Sequence, residues 1–223
     1  MDSKFIKRIY HHCENPKFII ILRDPIERII SHFNWMSYLG NVKLSFKDEI
    51  MNNMDKQFDP NKDFNGNYKN YILFSKYYEN ILNLKRYFPN SYIVINLEML
   101  TSDFSNTIEY VCSFLKIANS FKDIQIINGK INETPKIIIS KKPYMISLLS
   151  KFIGNKSKKF LKKFYFIKSN IEKFKRSEYI YKPSINEEFF LFKILENDII
   201  GFKNEFPRLV SKWKTTNRYL ESK

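Results

Sequence analysis

Hydrophobic residues along this chain form two uninterrupted runs and several periodic stretches, which together predict the secondary structure. The runs Phe18–Leu22 and Tyr92–Leu97 are rich in Ile, which is typical of strands buried on both faces in a parallel sheet. Elsewhere, apolar residues recur every three or four positions, as in helices with one buried face. Strands that alternate with helices predict an α/β fold, with a parallel sheet flanked by helices.

Polar residues at the edges of the periodic stretches predict where the helices begin. Asp24 precedes Pro25 and can cap one helix, and Ser184 with Glu187 forms a capping box for another that reaches Phe202. Further helices are predicted over residues 3–14, 46–54 and 68–87, and from residue 102 or 105 onward. The expected inner faces are Ile26, Ile29, Ile30 and Phe33; Tyr71, Ile72, Tyr78, Ile81 and Leu82; Ile108, Val111, Cys112 and Leu115; and Ile185, Phe189, Phe192, Leu195, Ile199 and Phe202.

The chain after Gly129 gives weaker signals. No further strand is predicted there, and residues 144–153 and 157–176 are expected to be helical or irregular. Trp213 is expected to pack the C-terminal tail onto the domain. The length of 223 residues suits a single domain, 1–223, and the 43% hydrophobic and 17% aromatic content excludes a disordered chain.

Charge and cysteine content narrow the class of protein. The net charge of +15 implies an anionic partner such as a nucleotide, a sulfated or phosphorylated glycan, nucleic acid or a membrane surface. A composition rich in Lys, Asn and Ile throughout would give part of this charge without any partner. Cys13 and Cys112 are expected to be reduced. Without an apolar run of about 18 residues or a signal-peptide pattern, a cytoplasmic protein is expected.

Much of the positive charge lies between Lys141 and Lys182, where 13 basic residues face only two acids, Glu172 and Glu178. Such a run is commonly a solvated surface. Because aromatic residues are interleaved with the lysines, an amphipathic helical segment over an anionic site is the alternative. The sequence leaves both interpretations of residues 141–182 open.

The end of the first apolar run has the residues that a phosphate site needs. Arg23 ends that run, where ligands bind in open α/β sheets, and Ser31 follows eight residues later in the predicted helix. A guanidinium and a hydroxyl can together hold one phosphate. Arg28 is a second cation on this helix, although it could also face solvent or Glu27. The alternative for Arg23 is an ion pair with Asp24.

Residues 23–31, Arg-Asp-Pro-Ile-Glu-Arg-Ile-Ile-Ser, resemble the 3′-phosphate-binding motif of sulfotransferases that use PAPS (3′-phosphoadenosine-5′-phosphosulfate). The resemblance is to the group that includes heparan sulfate sulfotransferases and bacterial polysaccharide or lipid-sugar sulfotransferases. It implies a P-loop-NTPase-like fold and gives the 3′-phosphate contacts to Arg23 and Ser31, with Arg28 as a further candidate. Further candidates for a flap over the nucleotide or an acidic glycan are Lys141, Lys142, Lys175 and Arg176.

Other segments resemble the same family in the same order. They are a helix followed by Phe-Pro and a strand ending in Glu-Met-Leu at 87–100, the Phe-Leu pair at 114–117, the segment Asn-Glu-Thr-Pro-Lys at 132–136, and the C-terminal stretch 182–213. Together they cover most of residues 5–215. An ordered series of matches is far more specific than any one short motif.

One part of the family pattern is not found. No loop of the Lys-x-Gly-Thr-Thr type precedes Lys17, and no catalytic base can be assigned; Glu14, His11 and His12 lie at spacings that do not align. We therefore expect a domain truncated at its N-terminus. Its lost strand would leave ladder edges exposed at residues 19–21 and 93–95, so low solubility or a partner chain that supplies the strand and loop is expected.

The resemblance implies transfer of a sulfuryl group from PAPS, as co-substrate, to a hydroxyl or amine of a glycan or glycolipid acceptor. No metal is implied, and the sequence does not identify the acceptor. Two alternatives remain: a non-catalytic remnant that binds adenosine 3′-phosphate nucleotides or a partner chain, and a basic protein that binds nucleic acid or a membrane surface. The last has no nucleic-acid-binding signature.

Overall fold

A computed structural model of the protein describes residues 3–59, 61, 68–119, 137–138 and 178–221. The helices are α1 (Ser3–His12), α2 (Pro25–Tyr38), α3 (Phe46–Met51), α4 (Tyr77–Tyr87), α5 (Leu97–Ser102), α6 (Phe104–Leu115), α7 (Ile185–Glu205), α8 (Pro207–Val210) and α9 (Lys214–Leu220), with a 3₁₀ turn at Leu73–Ser75. The strands are β1 (Phe18–Leu22), β2 (Tyr92–Asn96), β3 (Ile137–Ile138) and β4 (Glu178–Tyr179).

The two apolar runs form a small parallel sheet, which confirms the predicted α/β class. β1 pairs with β2 in a register that joins Phe18 to Tyr92 and Leu22 to Asn96. The prediction that both strands are buried on both faces is wrong for β1, because Ile19 and Ile21 are 39% and 54% exposed. The prediction of no strand after residue 129 is also wrong, since β3 and β4 form a short antiparallel pair.

Helix α2 begins as predicted, at the turn after β1. The Asp24 carboxylate accepts a hydrogen bond from the Ile26 amide at 3.0 Å, and Pro25 lies at the first position, where its missing N–H costs nothing. Ile26, Ile29 and Phe33 are buried, as their spacing predicted, whereas Ile30, which was also expected to face inward, is only partly buried. Helix α3 ends at Met51, three residues earlier than predicted.

The single helix predicted over residues 68–87 is wrong. The chain turns through the 3₁₀ segment, breaks at Lys76 with φ −81° and ψ 94°, and begins α4 at Tyr77. The Asp198 carboxylate on α7 accepts hydrogen bonds from the amides of Tyr77, Tyr78 and Glu79 at 2.7, 3.1 and 3.2 Å. A carboxylate from a distant helix therefore caps α4, and the local sequence contains no sign of it.

The segment after β2 also contains one helix more than predicted. Helix α5 begins directly after Asn96, and α6 follows it at Phe104, near the predicted start. Of the four residues predicted to face inward, Cys112 is buried and the other three are partly exposed.

The C-terminal helices close the fold. Ser184 and Glu187 form the predicted capping box of α7, but Ile185 and Phe189 are 63% and 46% exposed, so the buried face begins only at Leu191. Trp213 is buried, stacks on Phe202 and donates from Nε1 to Asn96 Oδ1 at 3.1 Å, which confirms that it fixes the tail. In the described parts of the chain, no helix combines the length and hydropathy needed to cross a membrane.

Candidate functional site

A pocket of about 420 Å³ opens beside the carboxyl end of β1, which is where ligands bind in open parallel sheets. Its walls come from the strand end, from α2, from the 3₁₀ turn, and from the first residues of α4 and α5. The lining residues are Ile21, Leu22, Arg23, Arg28, Phe74, Tyr77, Asn80 and Leu97. Two of the three sequence-predicted phosphate ligands that the structure describes, Arg23 and Arg28, therefore share one pocket.

The turn that presents Arg23 is fixed by Asp24 and by the C-terminal helix. The Asp24 carboxylate is buried and accepts hydrogen bonds from the Thr216 amide and hydroxyl at 2.9 and 2.8 Å. Burial raises the pKa of Asp24 from its ordinary value, although these hydrogen bonds oppose the change. The Asp24 amide donates to Glu98 Oε1 at 3.3 Å, so α5 holds the other side of the turn.

Arg23 faces the pocket with a weak internal counter-ion. Its Nη2 lies 2.9 Å from Glu27 Oε2, and the two side chains are 36% and 38% exposed. The predicted alternative, an ion pair of Arg23 with Asp24, is wrong because the Asp24 carboxylate is committed to α2 and Thr216. An exposed pair of this kind contributes less than about 1 kcal/mol, so an incoming anion can compete with Glu27 for Arg23.

Arg28, the second cation of the pocket, is held by uncharged groups. Its Nη1 donates to Ser75 Oγ at 3.1 Å and to the Tyr71 carbonyl at 3.4 Å, and its guanidinium lies 5.5 Å from the ring centre of Phe74. The alternative of an ion pair with Glu27 is wrong, because Glu27 bonds to Arg23 and Thr215 instead, and Arg28 is half-buried at the pocket wall. Burial lowers the pKa of Arg28, and no carboxylate pairs with it in the described part of the chain.

Ser31 lies one helical turn beyond Arg28 and does not line the pocket. Its side chain is partly buried, and its hydroxyl has no hydrogen-bond partner among the described residues. The adjacent His32 packs on Tyr71, with ring centres 4.6 Å apart, and burial lowers the pKa of His32 to about 4. The role of Ser31 in binding phosphate stays a prediction.

The other residues considered in the sequence form two groups. Lys141, Lys142, Lys175 and Arg176 fall outside the described residues, as does most of the basic segment 141–182. His11 and His12 are exposed at the end of α1 and do not line the pocket. No cluster of three or more potential metal ligands occurs within the described ranges.

Two aromatic residues of the pocket, Phe74 and Tyr77, were not predicted. The spacing predicted a continuous helix there, with Tyr78 on the inner face. Because α4 begins only at Tyr77, the side chain of Tyr77 is the one that turns inward, with 7% exposure. The break depends on Asp198, and no local signal could have located it.

Fold and pocket together define an α/β domain with a candidate anion-binding site at the carboxyl ends of its parallel strands. The family profile described as "Sulfotransferase domain" matches residues 10–177, which is more than half of the chain. The chain belongs to the sulfotransferase family, as its motifs predicted.

Among solved structures, a sulfotransferase from Alicyclobacillus acidocaldarius superposes with a TM-score of 0.59 at 13% sequence identity. The match covers 95% of this chain and 63% of that chain, so this chain spans less than two thirds of the length of that relative. At this identity the likeness supports the fold alone. A search of curated proteins gave no match.

Proposed function

We propose that this protein binds PAPS and transfers its sulfuryl group to a hydroxyl or amine of a carbohydrate-containing acceptor. The observation that carries the proposal is the pocket lined by Arg23 and by Arg28, whose half-buried guanidinium has only neutral hydrogen-bond partners in the described part of the chain. A partly desolvated guanidinium without a carboxylate is costly unless an anion completes the site. A phosphate monoester supplies that charge in a shape suited to two guanidinium groups.

The motif resemblance suggests which phosphate this is. In the family, the residues that match Arg23 and Ser31 contact the 3′-phosphate of the nucleotide, and Arg23 lines the pocket. Arg28, on α2, lies between these two residues in the sequence and offers a second guanidinium to the 3′-phosphate. The exposed ion pair of Arg23 with Glu27 would open when the phosphate arrives.

The proposed reaction is an in-line displacement at sulfur. The acceptor oxygen or nitrogen forms a bond to sulfur, the bond from sulfur to the 5′-phosphate oxygen breaks, and a general base takes the acceptor proton. Cations near the leaving phosphate stabilise its developing charge. We assign no catalytic base, and the proposed roles of Arg23 and Arg28 concern the 3′ end of the nucleotide.

The acceptor is proposed only as a class. A net charge of +15 favours an anionic partner, and a glycan or glycolipid with acidic groups fits that charge. A non-catalytic protein that binds the same nucleotide would use the same pocket. Turnover of PAPS, measured as formation of adenosine 3′,5′-bisphosphate in the presence of a glycan panel, distinguishes the transferase from this alternative.

Calorimetry tests the nucleotide site directly. We expect adenosine 3′,5′-bisphosphate to bind more tightly than adenosine 5′-monophosphate, because only the former carries a 3′-phosphate. Arg28→Met, which removes the charge and keeps an unbranched side chain, should weaken binding of the bisphosphate by roughly 100-fold, which corresponds to the loss of a charge-assisted contact.

The matched control is Arg86→Met. Arg86 is exposed on α4 and does not line the pocket, so this variant should bind both nucleotides as the wild type does. The proposal is wrong if the wild type binds the two nucleotides equally, or if Arg28→Met leaves the affinity for the bisphosphate unchanged.

A further inference from the structure

Tyr77 is held rigidly at the wall of the pocket. Its amide donates to Asp198 Oδ2 at 2.7 Å, and its ring packs against Trp213 and Phe202 with ring centres 5.9 and 6.3 Å apart. The side chain is 7% exposed and lines the pocket together with Arg23 and Arg28. Helix α7 and the C-terminal tail therefore fix the ring, and this packing does not depend on the hydroxyl.

The hydroxyl of Tyr77 keeps its proton at neutral pH, because burial raises the pKa of Tyr77. A protonated phenol has one proton to donate in a hydrogen bond.

The surroundings of this proton leave few acceptors. Arg28 is a cation and cannot accept, and the Asp24 carboxylate already accepts from Ile26 and Thr216. Glu98 interacts with Tyr77 electrostatically, and no hydrogen bond joins the two side chains in the described part of the chain. An anion in the pocket would supply the missing acceptor next to the two guanidinium groups.

We infer that the Tyr77 hydroxyl donates a hydrogen bond to the anion held by Arg23 and Arg28. This inference rests on the proposed function, under which the anion is the 3′-phosphate of the nucleotide. Tyr77 then adds a neutral donor to two cationic ones. A neutral donor gives direction to the site without adding repulsion between like charges, so it favours one orientation of the phosphate.

Calorimetry on Tyr77→Phe tests the inference. We expect roughly tenfold weaker binding of adenosine 3′,5′-bisphosphate, as for loss of one hydrogen bond to a charged group, and less than about a twofold change for adenosine 5′-monophosphate. Tyr78→Phe is the matched control, because Tyr78 is the next residue of α4, is partly buried and does not line the pocket. It should bind both nucleotides as the wild type does.

The outcomes separate the two proposals. If the wild type does not prefer the bisphosphate, both are overturned. If it does, and Tyr77→Phe binds the bisphosphate equally well, the inference alone is overturned. Equal loss for both nucleotides would also overturn it, since Tyr77 would then only support the turn at Arg23.

A structure of the wild-type complex tests the contact without any mutation, and it decides the matter if Tyr77→Phe does not fold. We expect an oxygen of the 3′-phosphate within about 3 Å of Tyr77 Oη, the distance of an O–H···O hydrogen bond. A separation beyond about 4 Å would overturn the inference.

Discussion

The two strands of the parallel sheet are alike in sequence and differ in their surroundings. Ile19 and Ile21 of β1 are 39% and 54% exposed, whereas their register partners on β2, Ile93 and Ile95, are 7% and 2% exposed. Helices α5 and α6 contact β2. An Ile-rich run therefore specifies a strand, while the packing of other elements decides how much of the strand is buried.

At their carboxyl ends, both strands are held by the same C-terminal segment. The turn after β1 is held through Asp24 by Thr216, and Asn96 at the end of β2 donates to the Leu209 carbonyl at 2.7 Å and accepts from Trp213. Residues 209–216 thus fix both strand ends from a distant part of the chain. The pocket is built on these fixed ends, which is where a binding site needs rigid support.

Substitutions at one register pair test whether the two strands really differ in burial. Ile95→Ala should lower the free energy of unfolding by about 3 kcal/mol, because it leaves a cavity at a buried position. Ile21→Ala is the matched control on the partner strand and should cost less than about 1 kcal/mol. Urea denaturation of both variants measures the difference. Equal losses would mean that β1 is covered as completely as β2.

The sequence was sufficient for the local parts of the fold. The bounds of β1, the Asp24 and Ser184 caps, and the buried spacing on α2 depend on residues close together in the chain, and all were predicted. Errors arose where a distant residue decides the structure. Asp198 breaks the helix expected over residues 68–87, and the absence of a covering element leaves Ile19 and Ile21 exposed among the described residues.

The second prediction concerns the fixed strand ends. Asp24→Ala removes the cap of α2 and leaves the buried Thr216 amide and hydroxyl without their acceptor, so we expect a loss of about 2 kcal/mol in the free energy of unfolding. Asp103 is the matched control: it precedes α6, is exposed, and its side chain accepts a hydrogen bond from the Asn106 side chain but from no backbone N–H of α6. Asp103→Ala should lower the free energy of unfolding by less than about 1 kcal/mol. Similar losses in thermal or urea unfolding would contradict the special role of Asp24.

The candidate site was also predicted only where it depends on residues close together in the chain. Arg23 and Arg28 lie within one short motif, and the structure brings both to one pocket. The partners of these residues could not be read from spacing, because Ser75 and Tyr71 hold Arg28 and Thr215 holds Glu27 from distant segments. Tyr77 was missed because its orientation depends on the same unforeseen helix break.

The pH dependence of stability should differ between the helices that follow the two strands. Helix α2, after β1, contains His32, whereas the chain after β2 has no histidine in α5 or α6. Burial and the nearby Arg28 lower the pKa of His32 to about 4 from an ordinary value of 6.5. A lowered folded-state pKa means that the stability from neutral His32 is fully present above pH 6.5 and is lost as the pH falls towards 4.

Between pH 7 and pH 5, the free energy of unfolding of the wild type should therefore fall by about 1–2 kcal/mol more than that of His32→Phe. Urea denaturation at the two pH values measures this difference. Burial raises the pKa of Asp24 and of Asp198, so their protonation favours the folded state and acts in the opposite direction, but it acts equally in both proteins and cancels in the difference. His12→Phe, at an exposed position on α1, should follow the wild type. If the stability of wild type and of His32→Phe depends on pH in the same way, His32 is accessible to water. Helix α2 would then be packed less tightly around Arg28 than the contacts of Arg28 with Ser75 and Phe74 indicate.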